Sequence, residues 1–223
     1  MMNRVGLFGG TFDPIHRGHL TAAKKVKKAF MLDEVVFIPS AVPPHKEGSR
    51  VTPAADRLAM LRLALTGTNG FKVTDCEIRR PGPSYTVDTV RFFLENAHGK
   101  TQMYLILGHD AFLEMHTWKS FEKILEQIPL IVIRRPGGIS HSGSISVSAL
   151  EVFITTNLSC DYRLSEDGTR YQHPRLKPIH LFQNTLLKIS STDIRKGVQS
   201  GKSVRAWVPE TVETYLIEKG LYR

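Results

Sequence analysis

A short segment near the start of the chain concentrates the residues best suited to chemistry: Gly9-Gly10-Thr11-Phe12-Asp13-Pro14-Ile15-His16-Arg17-Gly18-His19, directly after the apolar run Val5–Phe8. Glycines let a backbone approach a ligand closely, and a helix starting just beyond them presents unsatisfied N–H groups to an anion. His16 and His19 stand three residues apart, so they share one face of a first helical turn. Two imidazoles beside such N–H groups form a site for phosphate oxygens. The glycine spacing matches neither the GxGxxG dinucleotide fingerprint nor the GxxxxGK(S/T) phosphate loop. A His-x-x-His pair also suits a metal ion, but no third ligand lies nearby in the sequence, and the nine histidines are dispersed.

These residues need a scaffold, and the hydrophobic pattern supplies one. Near-continuous apolar runs at Val5–Phe8, Glu34–Ile38, Phe71–Thr74, Met103–Leu107 and Leu130–Ile133 read as strands buried on both faces. Between them the spacing predicts helices at His19–Phe30, Pro53–Leu65, Val87–Asn96 and Ser120–Gln127. Thr52-Pro53 reads as an N-cap followed by proline at the first helical position. The alternation implies an α/β fold, a Rossmann-like, doubly wound and mostly parallel sheet with helices on both faces. The rhythm fails over residues 136–187, which read as an irregular excursion with one or two short elements. Helical pattern returns at Ser191–Gln199 and Pro209–Lys219, with Gly220 as C-cap. The expected organisation is therefore a single domain, residues 1–223.

Composition bounds the class. The chain has 223 residues and a net charge of +9, with 41% hydrophobic and 23% charged residues, so it can bury a core without disulfides or a structural metal. Cys76 and Cys160 stand far apart and in no CxxC pair, which fits a reducing compartment. No apolar run approaches membrane-spanning length and no signal-peptide pattern is present, so the expected location is the cytoplasm. The positive charge favours polyanionic partners without saying which. Lys24, Lys25, Lys27 and Lys28 read as a solvated helix face. Basic and aromatic residues are not interleaved as in a nucleic-acid-binding surface, so neither nucleic acid nor a membrane is expected as a partner.

The string Gly9–His19 resembles the GGTFDPxHxGH signature of bacterial nicotinate-mononucleotide adenylyltransferases. Within it, His16-Arg17-Gly18-His19 resembles the (T/H)xGH motif of their nucleotidyltransferase superfamily. Further segments match in family order. Pro43-Pro44-His45-Lys46 resembles the PPHK loop, and Pro83–Thr89 resembles PSYTxDT. Gly108-His109-Asp110, with Trp118 downstream, resembles GxD…W, and Ile189–Arg195 resembles ISSTxIR. Gly220-Leu221-Tyr222-Arg223 is also similar, and the resemblance spans the chain except for residues 136–187.

The resemblance implies adenylyl transfer from ATP to nicotinate mononucleotide, giving nicotinate adenine dinucleotide and pyrophosphate, by in-line attack without a covalent intermediate. It implies that His16, His19, Lys46 and Arg195 carry the chemistry. ATP would be held by Gly9, Gly10, Thr11, Phe12, His16, His19, Ser191 and Arg195, with Arg135 after the fifth strand. Nicotinate mononucleotide would be held by Lys46, Tyr85, Thr86, Asp110 and Trp118. Trp118 would stack on the pyridine ring, with a core tryptophan as the structural alternative. Tyr85-Thr86 starts a helix whose N–H groups favour a carboxylate over a carboxamide. Asp110 would position the ribose or its loop, or simply cap a helix over Ala111–Met115. Mg²⁺ is expected with ATP, liganded by phosphates and water, with no dedicated protein ligands. The oligomeric state stays open, and a homo-oligomer is compatible with everything above. Transfer to another phosphate within the superfamily is the nearest rival reading.

Overall fold

A computed structural model describes residues 2–42, 51–134, 147–183 and 189–223. Lys46 and Arg135 lie outside the described residues. Eight strands form one sheet in the order β3-β2-β1-β4-β5-β8-β7-β6, and most of its pairs run parallel, as the alternation of apolar runs and helices requires. The chain divides into two compact units, residues 7–84 with 186–223, and residues 1–6 with 85–185. Strand β1 (Asn3–Gly10) passes from one unit into the other.

In the first unit, β1 leads through the glycine turn into α1 (Arg17–Ala29), followed by β2 (Glu34–Pro39), α2 (Ala54–Leu65), β3 (Phe71–Val73) and α3 (Cys76–Arg79). Strands β2 and β3 pair in parallel, Val35 opposite Phe71. Val35 and Phe37 are fully buried on one face of β2, and Val36 and Ile38 are buried on the other, so β2 is covered on both faces. Helix α1 buries Ala22, Ala23 and Val26 and exposes Lys24, Lys25 and Lys28. Lys27 departs from the expected solvated face: its ammonium donates to the Leu32 carbonyl at 3.0 Å and helps to end the helix. Helix α2 also starts differently from expectation. Its boundary residue is Pro53, without a side-chain cap. Thr52 is engaged elsewhere, its N–H on Asp13 Oδ2 and its carbonyl on Arg57.

In the second unit the order is α4 (Thr86–Glu95), β4 (Thr101–Gly108), α5 (His109–Leu113), α6 (Phe121–Gln127), β5 (Leu130–Arg134), α7 (Val147–Phe153), β6 (Arg163–Leu164), β7 (Arg170–Gln172) and β8 (Ile179–Gln183). Strand β5 pairs in parallel with β4 on one side and β8 on the other. The excursion over residues 136–187 is therefore not merely irregular. It supplies α7 and three strands, with β6, β7 and β8 joined antiparallel. These strands escaped the hydrophobic pattern because β6 and β7 have only two and three residues, and β8 mixes His180 and Gln183 with its apolar positions. Buried Tyr162 and Tyr171 anchor them, the Tyr162 hydroxyl donating to the Lys177 carbonyl at 2.9 Å. The chain then returns to the first unit for α8 (Ser191–Gln199) and α9 (Glu210–Glu218). Gly220 follows α9 with φ +59°, the left-handed step that ends a helix. Among the described residues, no helix is long and apolar enough to cross a membrane.

Candidate active site

The turn after β1 is built around His16. Its side chain caps α1, Nδ1 accepting the His19 N–H at 3.3 Å, and its ring stacks on His19 with centroids 3.7 Å apart. The histidine is only 4% exposed. Because Nδ1 accepts, the neutral ring carries its proton on Nε2, which is therefore the ring's donor nitrogen. His19 in turn meets the edges of Phe8 and Phe12. Phe12 adopts φ +49°, and its ring packs into the cluster with Phe8 and Phe37. That ring explains Gly10, where an added Cβ would stand 3.0 Å from Phe12 Cζ. Gly18 is explained in the same way, since a Cβ there would stand 2.9 Å from His16 Nδ1. The glycine between the histidines leaves room for the capping imidazole. Gly9 and Gly10 keep partly exposed backbone at the end of the strand.

The distant segment at residues 189–195 closes on this turn. Ser190 caps α8, its Oγ accepting the Asp193 N–H at 3.1 Å. Ser191 does a different job from the capping that its position suggests, and its hydroxyl donates to the Pro14 carbonyl at 3.0 Å. Arg195 Nη1 donates to the Asp13 carbonyl at 2.7 Å and Nη2 to Thr192 Oγ1 at 3.2 Å. The turn thus gathers Gly9–Phe12, His16, His19, Ser191 and Arg195 within one unit.

The other unit gathers a second group. Tyr85 is the boundary residue of α4 and Thr86 its first helical residue. Trp118 ends a short 3-10 turn, Met115–Thr117. Lys119 connects the two segments, with its ammonium 4.3 Å from the centre of the Tyr85 ring. Trp118 is half-buried, and its indole N–H is buried without a hydrogen bond among the described residues. Asp110 sits exposed in the first turn of α5 and is not its N-cap, a position held by Gly108. Among the described residues, no group of three or more His, Cys, Asp or Glu side chains could hold a metal ion.

Two further residues belong to the turn and carried no role in the sequence reading. Arg57 on α2 is 1% exposed and donates to three carbonyls, those of Thr52 at 2.8 Å, Thr11 at 2.8 Å and Ala41 at 3.1 Å. Burial lowers its pKa, opposed by the nearby Asp13 and Tyr222. The Tyr222 hydroxyl donates to Asp13 Oδ1 at 2.6 Å. Arg57 and Arg62 both stand among the apolar residues of α2, and nothing local marks the first as buried and the second as exposed.

A mostly parallel sheet of this order, with a glycine turn and a capped helix after its first strand, defines an α/β protein of the Rossmann-like class, and the comparisons agree. The chain matches the cytidylyltransferase-like family over residues 7–197. It belongs to that family and, among its members, to the nicotinate-nucleotide adenylyltransferases. It is 42% identical over 221 residues to a probable nicotinate-nucleotide adenylyltransferase of Desulfatibacillum aliphaticivorans, covering 98% of this chain and 99% of that protein. A protein of the same description from Pseudomonas syringae pv. tomato is 39% identical over 220 residues, covering 99% and 94%. The fold is similar to that of Plasmodium falciparum nicotinic acid mononucleotide adenylyltransferase complexed with NaAD, with a TM-score of 0.73 at 19% identity, covering 99% of this chain and 97% of that one.

Proposed function

We propose that the chain transfers the adenylyl group of ATP to nicotinate mononucleotide, releasing pyrophosphate and forming nicotinate adenine dinucleotide. The observation that carries this reading is His16, buried at the start of α1 with Nδ1 accepting the His19 N–H, which makes Nε2 the protonated nitrogen of the neutral ring. An oxygen of the mononucleotide 5′-phosphate attacks the α-phosphorus of ATP in line. The bond from that phosphorus to the bridging oxygen breaks, and its electron pair leaves with pyrophosphate. The acceptor is already an anionic nucleophile, so no covalent intermediate is needed, and catalysis consists of positioning and charge stabilisation. The backbone of Gly9–Phe12 and the rings of His16 and His19 receive the ATP phosphates, His16 Nε2–H donating where charge develops. Arg195, anchored by one nitrogen on the Asp13 carbonyl, holds the β- and γ-phosphates, and Ser191 braces the turn beneath them. Lys46 and Arg135 add charge to the phosphates. Mg²⁺ accompanies ATP, held by phosphate oxygens and water.

On the acceptor side, Trp118 stacks on the pyridine ring and Asp110 positions the ribose. The first-turn N–H groups of α4 at Tyr85-Thr86 receive the nicotinate carboxylate, with the Lys119 ammonium adding positive charge beside them. A carboxylate gains more there than a carboxamide. Pyrophosphate release with ATP and Mg²⁺ is therefore expected to be at least about tenfold more efficient with the acid than with the amide, a difference of ~1.4 kcal/mol. Equal rates would remove the carboxylate site. No release with either acceptor would sink the proposed reaction.

Gly18 offers a sharper probe of the turn. Gly18→Ala is expected to push the His16 ring off its capping position and lower kcat by about a hundredfold, the usual cost of misplacing a catalytic group by about 1 Å. A variant with unchanged kcat would mean that the His16 orientation does not matter to the reaction.

A further inference from the structure

We infer that Tyr222 is a positioning residue for the nucleotide-binding turn, acting through Asp13. This rests on the reading that the turn holds the ATP phosphates. Asp13 is 4% exposed and works from both ends. Its carbonyl accepts Arg195 Nη1, and its carboxylate accepts the Tyr222 hydroxyl through Oδ1 at 2.6 Å and the Thr52 N–H through Oδ2 at 3.3 Å. The same residue that orients Arg195 is therefore itself oriented by a phenol 209 positions away in the sequence.

Two features mark this contact as more than chance packing. Tyr222 holds φ +64°, a left-handed conformation that side-chain-bearing residues seldom adopt without a compensating interaction. The segment after α9 is bent to bring the hydroxyl to the carboxylate. Burial and the neighbouring carboxylate also push the Tyr222 pKa well above the ordinary tyrosine range, so the group stays a donor throughout the neutral and mildly alkaline range. Without the hydroxyl, a buried carboxylate oxygen loses its short bond, and the turn can relax around Asp13. Arg195 and the cap of α1 at His16 then lose their reference point.

A second phenol–carboxylate pair provides the control. The Tyr215 hydroxyl on α9 donates to Asp56 Oδ1 on α2 at 2.8 Å, and neither side chain bonds to the turn. Full-length wild type, Tyr222→Phe and Tyr215→Phe would be compared in thermal melts, in pyrophosphate release with ATP, Mg²⁺ and nicotinate mononucleotide, and in calorimetric binding of a non-hydrolysable ATP analogue. Tyr222→Phe is expected to lose about tenfold in kcat and about fivefold in analogue affinity, while KM for the mononucleotide stays within about twofold. Tyr215→Phe, whose partner Asp56 is only half-buried, is expected to lower the melting temperature less and to keep kcat and analogue affinity within about twofold of wild type. The inference is overturned if Tyr222→Phe keeps both parameters within that range, or if Tyr215→Phe loses as much as Tyr222→Phe. Absence of any wild-type pyrophosphate release would refute the proposed reaction instead, and the three analogue affinities would then decide the positioning role by themselves.

Discussion

Replacing His16 with asparagine is expected to lower kcat for pyrophosphate release by about 10²–10³, the cost of removing one preorganised donor to a developing charge. The substitution separates the two tasks of the imidazole. Asparagine is among the best N-caps, so its side-chain oxygen can still accept the His19 N–H and keep α1 in place. It is too short to carry a donor to where Nε2 stands. The melting temperature should therefore stay within a few degrees of wild type while the chemical step collapses. His16→Ala removes the cap as well, and should add about 1 kcal/mol of destabilisation to the same kinetic loss. A rise in KM with kcat preserved would assign His16 to binding that the ground and transition states share, and not to the chemical step. Full activity of the asparagine variant would contradict the donor role altogether.

Arg57→Met is expected to be the most damaging change to stability, by about 3–5 kcal/mol. Methionine approximates the length of the stem but donates nothing. The carbonyls of Thr11, Thr52 and Ala41 would lose their donors at once, and the buried Asp13 would lose its nearby positive charge. In a protein of this size such a loss lowers the melting temperature by roughly 10 °C. Arg57→Lys should fall between the two, because a single ammonium cannot reproduce the planar fork that spans three carbonyls. Chemical denaturation with a constant slope would measure the difference. If methionine left stability unchanged, the three carbonyls would have found water, and the guanidinium would not be what holds these strand-end segments together.

The strands were legible in the sequence wherever both faces are buried. Val5–Phe8, Glu34–Ile38 and Leu130–Ile133 are apolar runs, and each lies within a strand, extended by one or a few residues at its ends. At the start of α8 two adjacent serines both suit a cap, and the structure uses Ser190 while Ser191 bonds to the Pro14 carbonyl. At Thr52 the expectation failed because tertiary partners hold it elsewhere, its side chain bonding to Tyr222 and its backbone N–H and carbonyl to Asp13 and Arg57. The strands β6, β7 and β8 were illegible for a different reason. They are too short or too mixed for period-two alternation to rise above a loop, and β8 takes its place in the sheet from β5, far back in the sequence, with Leu130 opposite Ile179.

The candidate site divides along the same line. Local sequence determined the glycine turn, the pair of histidines on one helical face and the helix start at Tyr85-Thr86, because each depends on residues within a few positions of one another. It also carried the family resemblance, since that resides in the same contiguous strings. The tertiary structure decided what each polar group does. It made His16 a cap through Nδ1, sent Ser191 to the Pro14 carbonyl, and fastened Arg195 to Asp13 across 182 positions. It also enlisted Arg57 and Tyr222, which no local pattern distinguishes from a surface arginine and a terminal tyrosine. The physical reason is that a hydrogen bond needs its partner within about 3 Å and in line. Composition and periodicity can say which face of an element is buried, but only the folded chain brings a phenol at position 222 to a carboxylate at position 13.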